Sequence, residues 1–238
     1  SNLFLYGKTG TGKTLSMFHV VKKLEKIAKT KKIGLKIFYL NCKLKRVADT
    51  EYRLIAALAR DFGENVPITG LPTDEIYRLF IERIDKKKMN LILVLDEIDQ
   101  LVKKAGDEIL YNLTRLNSEL KKTQITVVGI SNDLQFANYL DPRVKSSLTE
   151  EDINFPAYNA LQLQDILSER AKRAFNKKVV EEGVISKCAA YAAREHGDAR
   201  RALDLLRVAG ELAERNNESK LKINFIDGAE EKIERDLI

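Results

Sequence analysis

Eight residues near the start of the chain have the spacing of a phosphate-binding loop. They read Gly7-Lys8-Thr9-Gly10-Thr11-Gly12-Lys13-Thr14, the pattern G-x-x-x-x-G-K-[ST], between an apolar run and a helix-compatible segment. The glycines let consecutive backbone N–H groups face one anion, and the positive end of the helix dipole points to the same place. The pattern therefore predicts a strand–loop–helix unit, a P-loop, that binds a nucleoside triphosphate.

Two side chains of this loop have separate predicted roles. The ammonium group of Lys13 is placed to reach the β- and γ-phosphates, and the hydroxyl of Thr14 is placed to ligate Mg²⁺. A glycine-rich turn with an incidental lysine is the alternative, and the strand before the loop and the helix after it argue against that alternative.

Short apolar runs alternate with longer amphipathic stretches in the first part of the chain, which indicates βα units around a parallel sheet. We expect strands at 3–6, 36–40, 91–95, 126–130 and 152–155, and helices at 14–28, 51–62, 74–84 and 107–120. Helical periodicity alone follows, at 160–175, 181–195, 199–216 and 224–235. Pro156 marks the change, so we expect an α/β domain at 1–157 and a small all-α domain at 158–238.

Polar residues at the ends of two predicted strands extend the phosphate site. A carboxylate at the end of a buried strand can hold the hydration shell of Mg²⁺, which suits Asp96. Glu97 is then placed to orient and deprotonate an attacking water, although a helix N-cap pair is the alternative for Asp-Glu. Asn132 follows the next strand and could bond the γ-phosphate and this water; Ser-Asn-Asp is also an ordinary turn sequence.

The order of P-loop, Asp-Glu strand, polar-tipped strand and helical lid resembles that of the AAA+ ATPases. Three further stretches resemble the archaeal replication initiators related to the origin recognition complex and the cell-division-cycle-six loader. They are LDPRVKSSL at 140–148, FPAYN at 155–159 and GDARRALD at 197–204. The resemblance covers essentially the whole chain and implies an AAA+ P-loop sheet flanked by helices, followed by a helical lid.

The same resemblance implies an activity, cofactors and partners. It implies an ATPase that binds ATP or ADP with Mg²⁺ between its two domains and hydrolyses ATP slowly. The implied partners are double-stranded origin DNA, other initiator subunits and the replicative helicase. Another AAA+ role, as a clamp-loader or protein-remodelling subunit, stays open, and so does a scaffold that holds ADP without turnover.

Two arginines match positions that sense phosphate in the family. Arg143 matches the arginine finger, which would reach the γ-phosphate of a neighbouring subunit; an exposed arginine in a loop is the alternative. Arg200 matches the lid residue that senses the γ-phosphate within one subunit, and a surface salt bridge with Asp198 or Asp204 is its alternative.

The resemblance implies further contacts to the nucleotide. Tyr158 matches a residue that contacts the adenine side at the lid hinge, and a core aromatic is the alternative. Arg170 matches a residue that makes a further contact with the nucleotide. Backbone amides of Leu15, Ser16 and Met17 would continue the cradle towards the α-phosphate and the base.

A long insertion at 41–88 corresponds to the family's helical hairpin that touches origin DNA. Its candidate DNA contacts are Lys43, Lys45, Arg46 and Arg53, and Arg60 is a further basic residue of the insertion. A glycine between apolar residues at 66–72 could press into a minor groove, or the loop could pack on its own helices. Family members normally end in a winged-helix DNA-binding domain, whereas this sequence stops after the lid, so we expect origin recognition to need more than these residues.

Composition bounds these possibilities. The net charge of +6 and the pI near 9.1 are compatible with a nucleic-acid partner, although the lysine-rich run at 22–36 is typical of a solvated helix face. The two cysteines, Cys42 and Cys188, form neither a disulfide framework nor a metal cluster. With no membrane-length apolar run, we expect a soluble, cytoplasmic, nucleoid-associated protein and no membrane partner.

Overall fold

The computed structural model describes residues 2–43, 50–67, 70–148 and 150–236. It divides into two compact units, of which the first comprises Ser1–Gly7 and Lys13–Asn154. The second comprises Lys8–Gly12 and Phe155–Ile238. The domain boundary expected between residues 157 and 158 stays a prediction.

The first unit is built on a parallel sheet of five strands in the order β2-β3-β4-β1-β5. The strands are β1 (Asn2–Tyr6), β2 (Leu35–Asn41), β3 (Met89–Asp96), β4 (Thr123–Ser131) and β5 (Glu150–Asn154). A strand lies at each expected place, and the α/β fold class is confirmed. The strands in the middle of the sheet extend beyond the predicted ranges because polar residues near their starts, such as Asn90 and Gln124, also take part in the parallel pairing.

Among the described residues of this unit, six α-helices connect the strands. They are α1 (Lys13–Lys31), α2 (Glu51–Asp61), α3 (Thr73–Ile84), α4 (Ile98–Ala105), α5 (Glu108–Glu119) and α6 (Pro142–Leu148). Helices α4 and α6 are absent from the predicted set, since they have eight and seven residues and show too few turns for a clear period. Arg143 lies on α6 rather than in the loop that its alternative assumed.

The core of the first unit packs against both faces of the sheet. Leu91, Leu93 and Leu95 on β3 are almost fully buried, as is Phe4 on β1. Gly129 on β4 pairs with Phe4 and Leu95 in the register. A glycine suits this place because a Cβ atom there would lie 2.5 Å from Phe4 Cε1 and 3.1 Å from Ile98 Cδ1.

We expect Gly129→Ala to lower the free energy of unfolding by about 1–3 kcal/mol, the usual cost of an extra methyl group in a filled core. Denaturant unfolding measures the change. Gly228→Ala is the matched control, because its Cβ atom would meet only Leu212 Cδ1 at 3.5 Å, inside helix α10 (Asn224–Asp236), where alanine is the better helix former. Equal stability of the two variants would contradict this account of the β4 packing.

Four helices make up most of the second unit. They are α7 (Ala160–Ala174), α8 (Val184–Glu195), α9 (Ala199–Arg215) and α10 (Asn224–Asp236). The side chain of Asp198 accepts the backbone N–H groups of Arg200 and Arg201, so Asp198 is the N-cap of α9. Helix α8 begins three residues later than expected because Gly183 before it has a left-handed backbone, with φ of 83°.

Both cysteines are free and fully buried, Cys42 in the first unit and Cys188 in the second. Desolvation raises the pKa of each thiol to about 12. Among the residues that the structure describes, no helix has the length and apolar character needed to cross a bilayer.

Candidate nucleotide-binding site

The ammonium group of Lys13 is held at the start of α1. The side chain is 5 % exposed, and its Nζ donates a hydrogen bond to the carbonyl oxygen of Gly7 at 2.6 Å. The sequence places Lys13 directly after the glycine-rich loop, so its side chain bends back to the first glycine of the pattern. A buried cation at this point provides the charge that a bound phosphate requires.

Asp96 ends β3 beside the first turn of α1. Its Oδ2 accepts hydrogen bonds from Thr14 Oγ1 at 2.9 Å and from the Tyr39 hydroxyl at 2.6 Å, and its Oδ1 accepts from the Glu97 N–H at 3.0 Å. These donors fix the orientation of a carboxylate that is only 5 % exposed. The structure thus brings together the two predicted Mg²⁺ ligands, Thr14 and Asp96.

Tyr39 is a further residue of this site that the sequence patterns do not predict. Tyr39 on β2 pairs in register with Val94, so its ring runs along the sheet to reach Asp96 two residues farther on. The Phe18 ring on α1 lies 4.7 Å from the Tyr39 ring, centre to centre. Burial and the hydrogen bond to Asp96 raise the pKa of Tyr39 above its ordinary range, so it acts as a hydroxyl donor.

The donor atoms around Asp96 fit Mg²⁺. A hydroxyl and a carboxylate lie 2.9 Å apart, and hard oxygen ligands of this kind, completed by water and phosphate oxygens, are what Mg²⁺ prefers. Thr14 and Asp96 would hold the ion. When bound, it would neutralise charge on the phosphate oxygens.

Glu97 directly follows Asp96 and has an uncommon backbone. Its φ of 55° and ψ of 47° are left-handed, and it precedes α4 without a side-chain cap hydrogen bond. The alternative of a helix cap therefore finds no support from its side chain. The carboxylate is 23 % exposed and lies 4.0 Å from Lys43 Nζ. A non-glycine residue held in this region is a frequent feature of functional sites.

Asn132 follows β4 and is exposed, while its neighbour Ser131 is fully buried. Ser131 Oγ donates to Asp99 Oδ1 at 3.3 Å and accepts the Asp133 N–H at 3.0 Å. This Ser131–Asp99 pair, which ties the end of β4 to α4, was not predicted. The turn alternative for Ser-Asn-Asp describes the local geometry, and the sensing role of Asn132 stays a prediction.

Lys8–Gly12 packs within the second unit. Thr11 is buried and its hydroxyl donates to the Lys8 carbonyl oxygen at 2.9 Å, while the Ala199 N–H donates to the Gly10 carbonyl oxygen at 3.3 Å. A Cβ atom on Gly12 would lie 2.6 Å from the Tyr158 hydroxyl. Gly10 and Gly12, with φ of 77° and 88°, therefore allow both the loop's curvature and this close approach.

Tyr158 combines features of both interpretations. Its ring is half-buried against the core of the second unit, as the core-aromatic alternative requires, and its N–H donates to the Gly197 carbonyl oxygen at 3.2 Å. Its hydroxyl nevertheless faces Gly12 of the phosphate-binding sequence. Among the other predicted contacts, Met17 is buried, whereas Leu15, Ser16 and Arg170 are exposed.

Arg200 and Arg201 have opposite surroundings at the start of α9. Arg201 is 14 % exposed and pairs with Glu195 at 3.0 Å and Glu230 at 3.3 Å. Arg200 is exposed, and its side chain makes no ion pair within the described ranges. The alternative, a salt bridge of Arg200 with Asp198 or Asp204, is therefore absent from the described residues. Asp198 instead caps the helix backbone, and Asp204 pairs with Arg207. This leaves the Arg200 guanidinium available.

Arg143 is 85 % exposed and pairs with Asp141 at 3.1 Å. The guanidinium lowers the pKa of the Asp141 carboxyl. An exposed pair of this kind contributes little to stability, so the arginine can leave it at small cost.

The predicted DNA contacts are only partly described. Lys45 and Arg46 lie outside the described residues, Lys43 is close to Glu97, and Arg53 lies on α2. Arg60 donates to the carbonyl oxygens of Val66 and Pro67 at 2.9 and 3.0 Å. This supports the alternative in which the loop after α2 packs on its own helix.

Comparisons with known proteins agree with this geometry. Residues 1–136 match the AAA domain family, and residues 164–231 match the Cdc6 AAA+ ATPase-type lid domain. An ORC1-type DNA replication protein of Pyrococcus abyssi is 54 % identical over all of this chain and 57 % of its own length. The chain belongs to the AAA+ ATPases of the ORC1/Cdc6 type. The predicted resemblance to archaeal initiators is confirmed.

Other relatives of this ORC1/Cdc6 type extend the comparison. ORC1-type DNA replication protein 1 of Methanosarcina mazei is 53 % identical over all of this chain and 56 % of its own length. The Aeropyrum pernix ORC1 protein, solved in complex with DNA, is 47 % identical with a TM-score of 0.85, over 99 % of this chain and 60 % of that one. The chain thus spans a little over half the length of these relatives.

Proposed function

We propose that this chain is the nucleotide-dependent switch of a replication initiator, which binds ATP with Mg²⁺ and hydrolyses it slowly. The observation that carries the proposal is the hydrogen bond of 2.9 Å between Thr14 and Asp96. This bond joins Thr14, which follows the P-loop lysine, to Asp96 at the end of β3. The chain that contains this pair matches the AAA domain family. The slow rate follows from the resemblance to initiators, which use nucleotide state as a signal.

Each residue has a part in the proposed reaction. The ammonium of Lys13 binds the β- and γ-phosphates, while Thr14 and Asp96 hold Mg²⁺. Glu97 accepts a proton from the attacking water, which Asn132 helps to orient. The backbone N–H groups of 7–12 and 15–17 bind the phosphates.

The remaining assignments are the sensors and the base contacts. Arg200 would sense the γ-phosphate within one subunit, and Arg143 would do so from a neighbouring subunit. Tyr158 would contact the nucleotide on the adenine side, and Arg170 would make a further nucleotide contact. The exposure of both Arg200 and Arg143 supports these roles, since neither guanidinium is confined in a protein core.

Partners are proposed from the relatives. The matched proteins are named for DNA replication, and one of them was solved with DNA. We therefore propose double-stranded origin DNA, other initiator subunits and the replicative helicase as partners. Within the described part of the insertion, Lys43 and Arg53 are the candidate DNA contacts; Lys45 and Arg46 remain candidates from the sequence alone. An intracellular, nucleoid-associated location follows from these partners.

Asp96→Asn tests the metal-dependent part of the function. The variant keeps the shape of the side chain but removes the charge that faces Mg²⁺, so we expect about tenfold weaker ATP binding in Mg²⁺, the effect of removing one charge-assisted interaction. Binding in EDTA is expected to stay unchanged. Fluorescence titration with a labelled ATP analogue measures both affinities.

Asp99→Asn is the matched control, because Asp99 is also 5 % exposed but its carboxylate faces Ser131 and Gln100. Its Mg²⁺ dependence should equal that of the parent. A parent-like Mg²⁺ dependence in Asp96→Asn would overturn the proposed metal site. A parent protein that binds no nucleotide would overturn the whole function.

A further inference from the structure

Three lysine runs in the chain each lead into a parallel strand. Lys31-Lys32 precedes β2, Lys86-Lys87-Lys88 precedes β3, and Lys121-Lys122 precedes β4. These three strands are neighbours and pair in parallel. Neighbouring parallel strands begin at the same end of a sheet and lie about 4.8 Å apart. The topology therefore gathers all three lysine runs at the amino ends of these strands.

An open concavity of about 1010 Å³ lies at this end of the sheet. The lysines that line it, which define the lysine concavity, are Lys32, Lys88, Lys121 and Lys122. Neutral polar side chains, among them Asn90, Gln124 and Thr126, and apolar ones such as Ile33 and Met89 complete its lining. No aspartate or glutamate is found among the described residues that line it.

The four lysines are exposed, and none of them forms an ion pair within the described part of the chain. The Lys122 ammonium donates instead to the carbonyl oxygen of Lys86 at 3.4 Å. These four positive charges repel one another, and a polyanion would relieve that repulsion.

Asp85, which precedes the second lysine run, holds the turn before β4. Its two carboxylate oxygens accept the backbone N–H groups of Lys121, Lys122 and Thr123 at 3.0, 2.7 and 2.9 Å. These bonds lower the pKa of Asp85. The acid therefore fixes the backbone that presents the lysines, and the Lys122 charge adds to the lowering of its pKa.

We propose that the lysine concavity binds the phosphate backbone of a nucleic acid. Ammonium groups meet the repeated phosphate charges, and amide and hydroxyl side chains can bond phosphate and sugar oxygens without reading sequence. The surface lies at the amino ends of β2, β3 and β4, whereas Thr14 and Asp96 meet at the carboxyl end of β3. Lys43 likewise follows the carboxyl end of β2, so this surface is separate from that proposed insertion contact.

The test replaces the four lysines by glutamine and measures binding of a labelled duplex of random sequence at several KCl concentrations. We expect affinity at low salt to fall about tenfold or more. The slope of log K against log [KCl] should be shallower by about 2–4, since each phosphate that a lysine no longer neutralises removes about 0.9 from it. The control replaces Lys22, Lys23, Lys177 and Lys178 by glutamine. It removes equal charge, and Lys178 matches the left-handed backbone of Lys32, with φ of 67° and 54°.

The control is expected to weaken binding by about twofold at most, because none of its four lysines lines the concavity and exposed charges outside a contact contribute little. If the two variants bind DNA alike, or if the parent binds none at low salt, the proposal is overturned. Tighter binding of poly-glutamate than of the duplex would assign the surface to an acidic protein instead and also overturn it.

The proposal can be separated from the proposed function. ATP affinity and thermal unfolding should match the parent in both variants, because the concavity is at the opposite end of the sheet from Asp96. Absence of ATP binding in the parent would leave the DNA measurement intact. If the fourfold variant fails to fold, Lys121→Gln with Lys122→Gln is measured instead, with about half of the expected change in slope.

Discussion

Glu97→Gln is expected to slow ATP hydrolysis by about 10²–10⁴-fold, the usual contribution of a general base, while ATP binding stays near that of the parent. Glutamine has the shape of glutamate but cannot accept the water proton at neutral pH. The change also removes the weak pairing with Lys43 at 4.0 Å, which an exposed lysine makes at little energetic gain. Phosphate release at saturating ATP measures turnover, and a titration with a labelled analogue measures binding.

Glu119→Gln provides the control for this substitution, because Glu119 is exposed at the end of α5 and undergoes the same chemical change. Its turnover should equal that of the parent. Parent-like turnover in Glu97→Gln would show that another group activates the water. A parent protein purified with tightly bound ADP and without turnover would favour the nucleotide-locked scaffold.

Lys13→Met is expected to weaken ATP binding by about 100-fold or more, which corresponds to about 3 kcal/mol from charge-assisted phosphate contacts. Methionine retains most of the aliphatic stem that is buried at 5 % exposure, so the fold should persist. The group that is removed is the ammonium that now bonds the Gly7 carbonyl oxygen. Isothermal titration with ATP and Mg²⁺ measures the affinity, and thermal unfolding checks the fold.

Lys8→Met is the matched control in the same loop. Lys8 is exposed, and we propose that it contributes its backbone N–H rather than its side chain to the phosphate cradle. Its ATP affinity should therefore change by only a few fold, through removal of a solvent-exposed charge. If Lys13→Met bound ATP as tightly as Lys8→Met does, the P-loop interpretation of this lysine would be refuted.

The strands could be predicted because their signal is local. β3 and β4 are apolar over most of their length, as strands covered on both faces are, and the pattern needs no knowledge of neighbours. The short helices carried weaker signals. Pro142 in the first turn of α6 is a typical start residue and could have identified that helix, whereas α4 follows Glu97 without a cap or a full period.

Some residues of the candidate site could likewise be predicted from local sequence, whereas others could not. Lys13, Thr14 and Asp96 could be predicted because their positions follow from one loop and one strand end. Tyr39 could not, because its contact with Asp96 depends on β2 lying beside β3 in a particular register. The Ser131–Asp99 pair likewise depends on where α4 lies next to β4.

The unit membership of Lys8–Gly12 is also a tertiary property. The sequence predicts one continuous cradle, yet these residues pack with the second unit while Gly7 and Lys13 belong to the first. The contact of the Ala199 N–H with the Gly10 carbonyl oxygen joins positions that are far apart in sequence. Periodicity and spacing carry no information about such a contact.

The burial of Cys42 and Cys188 makes this chain a ready host for site-directed labelling. Thiol reagents react with the exposed thiolate, and both native thiols are fully buried with pKa values raised to about 12. A single cysteine introduced on the surface would therefore be modified selectively, without first removing the native pair. Fluorophores or spin probes attached in this way could report distances between the two units in each nucleotide state.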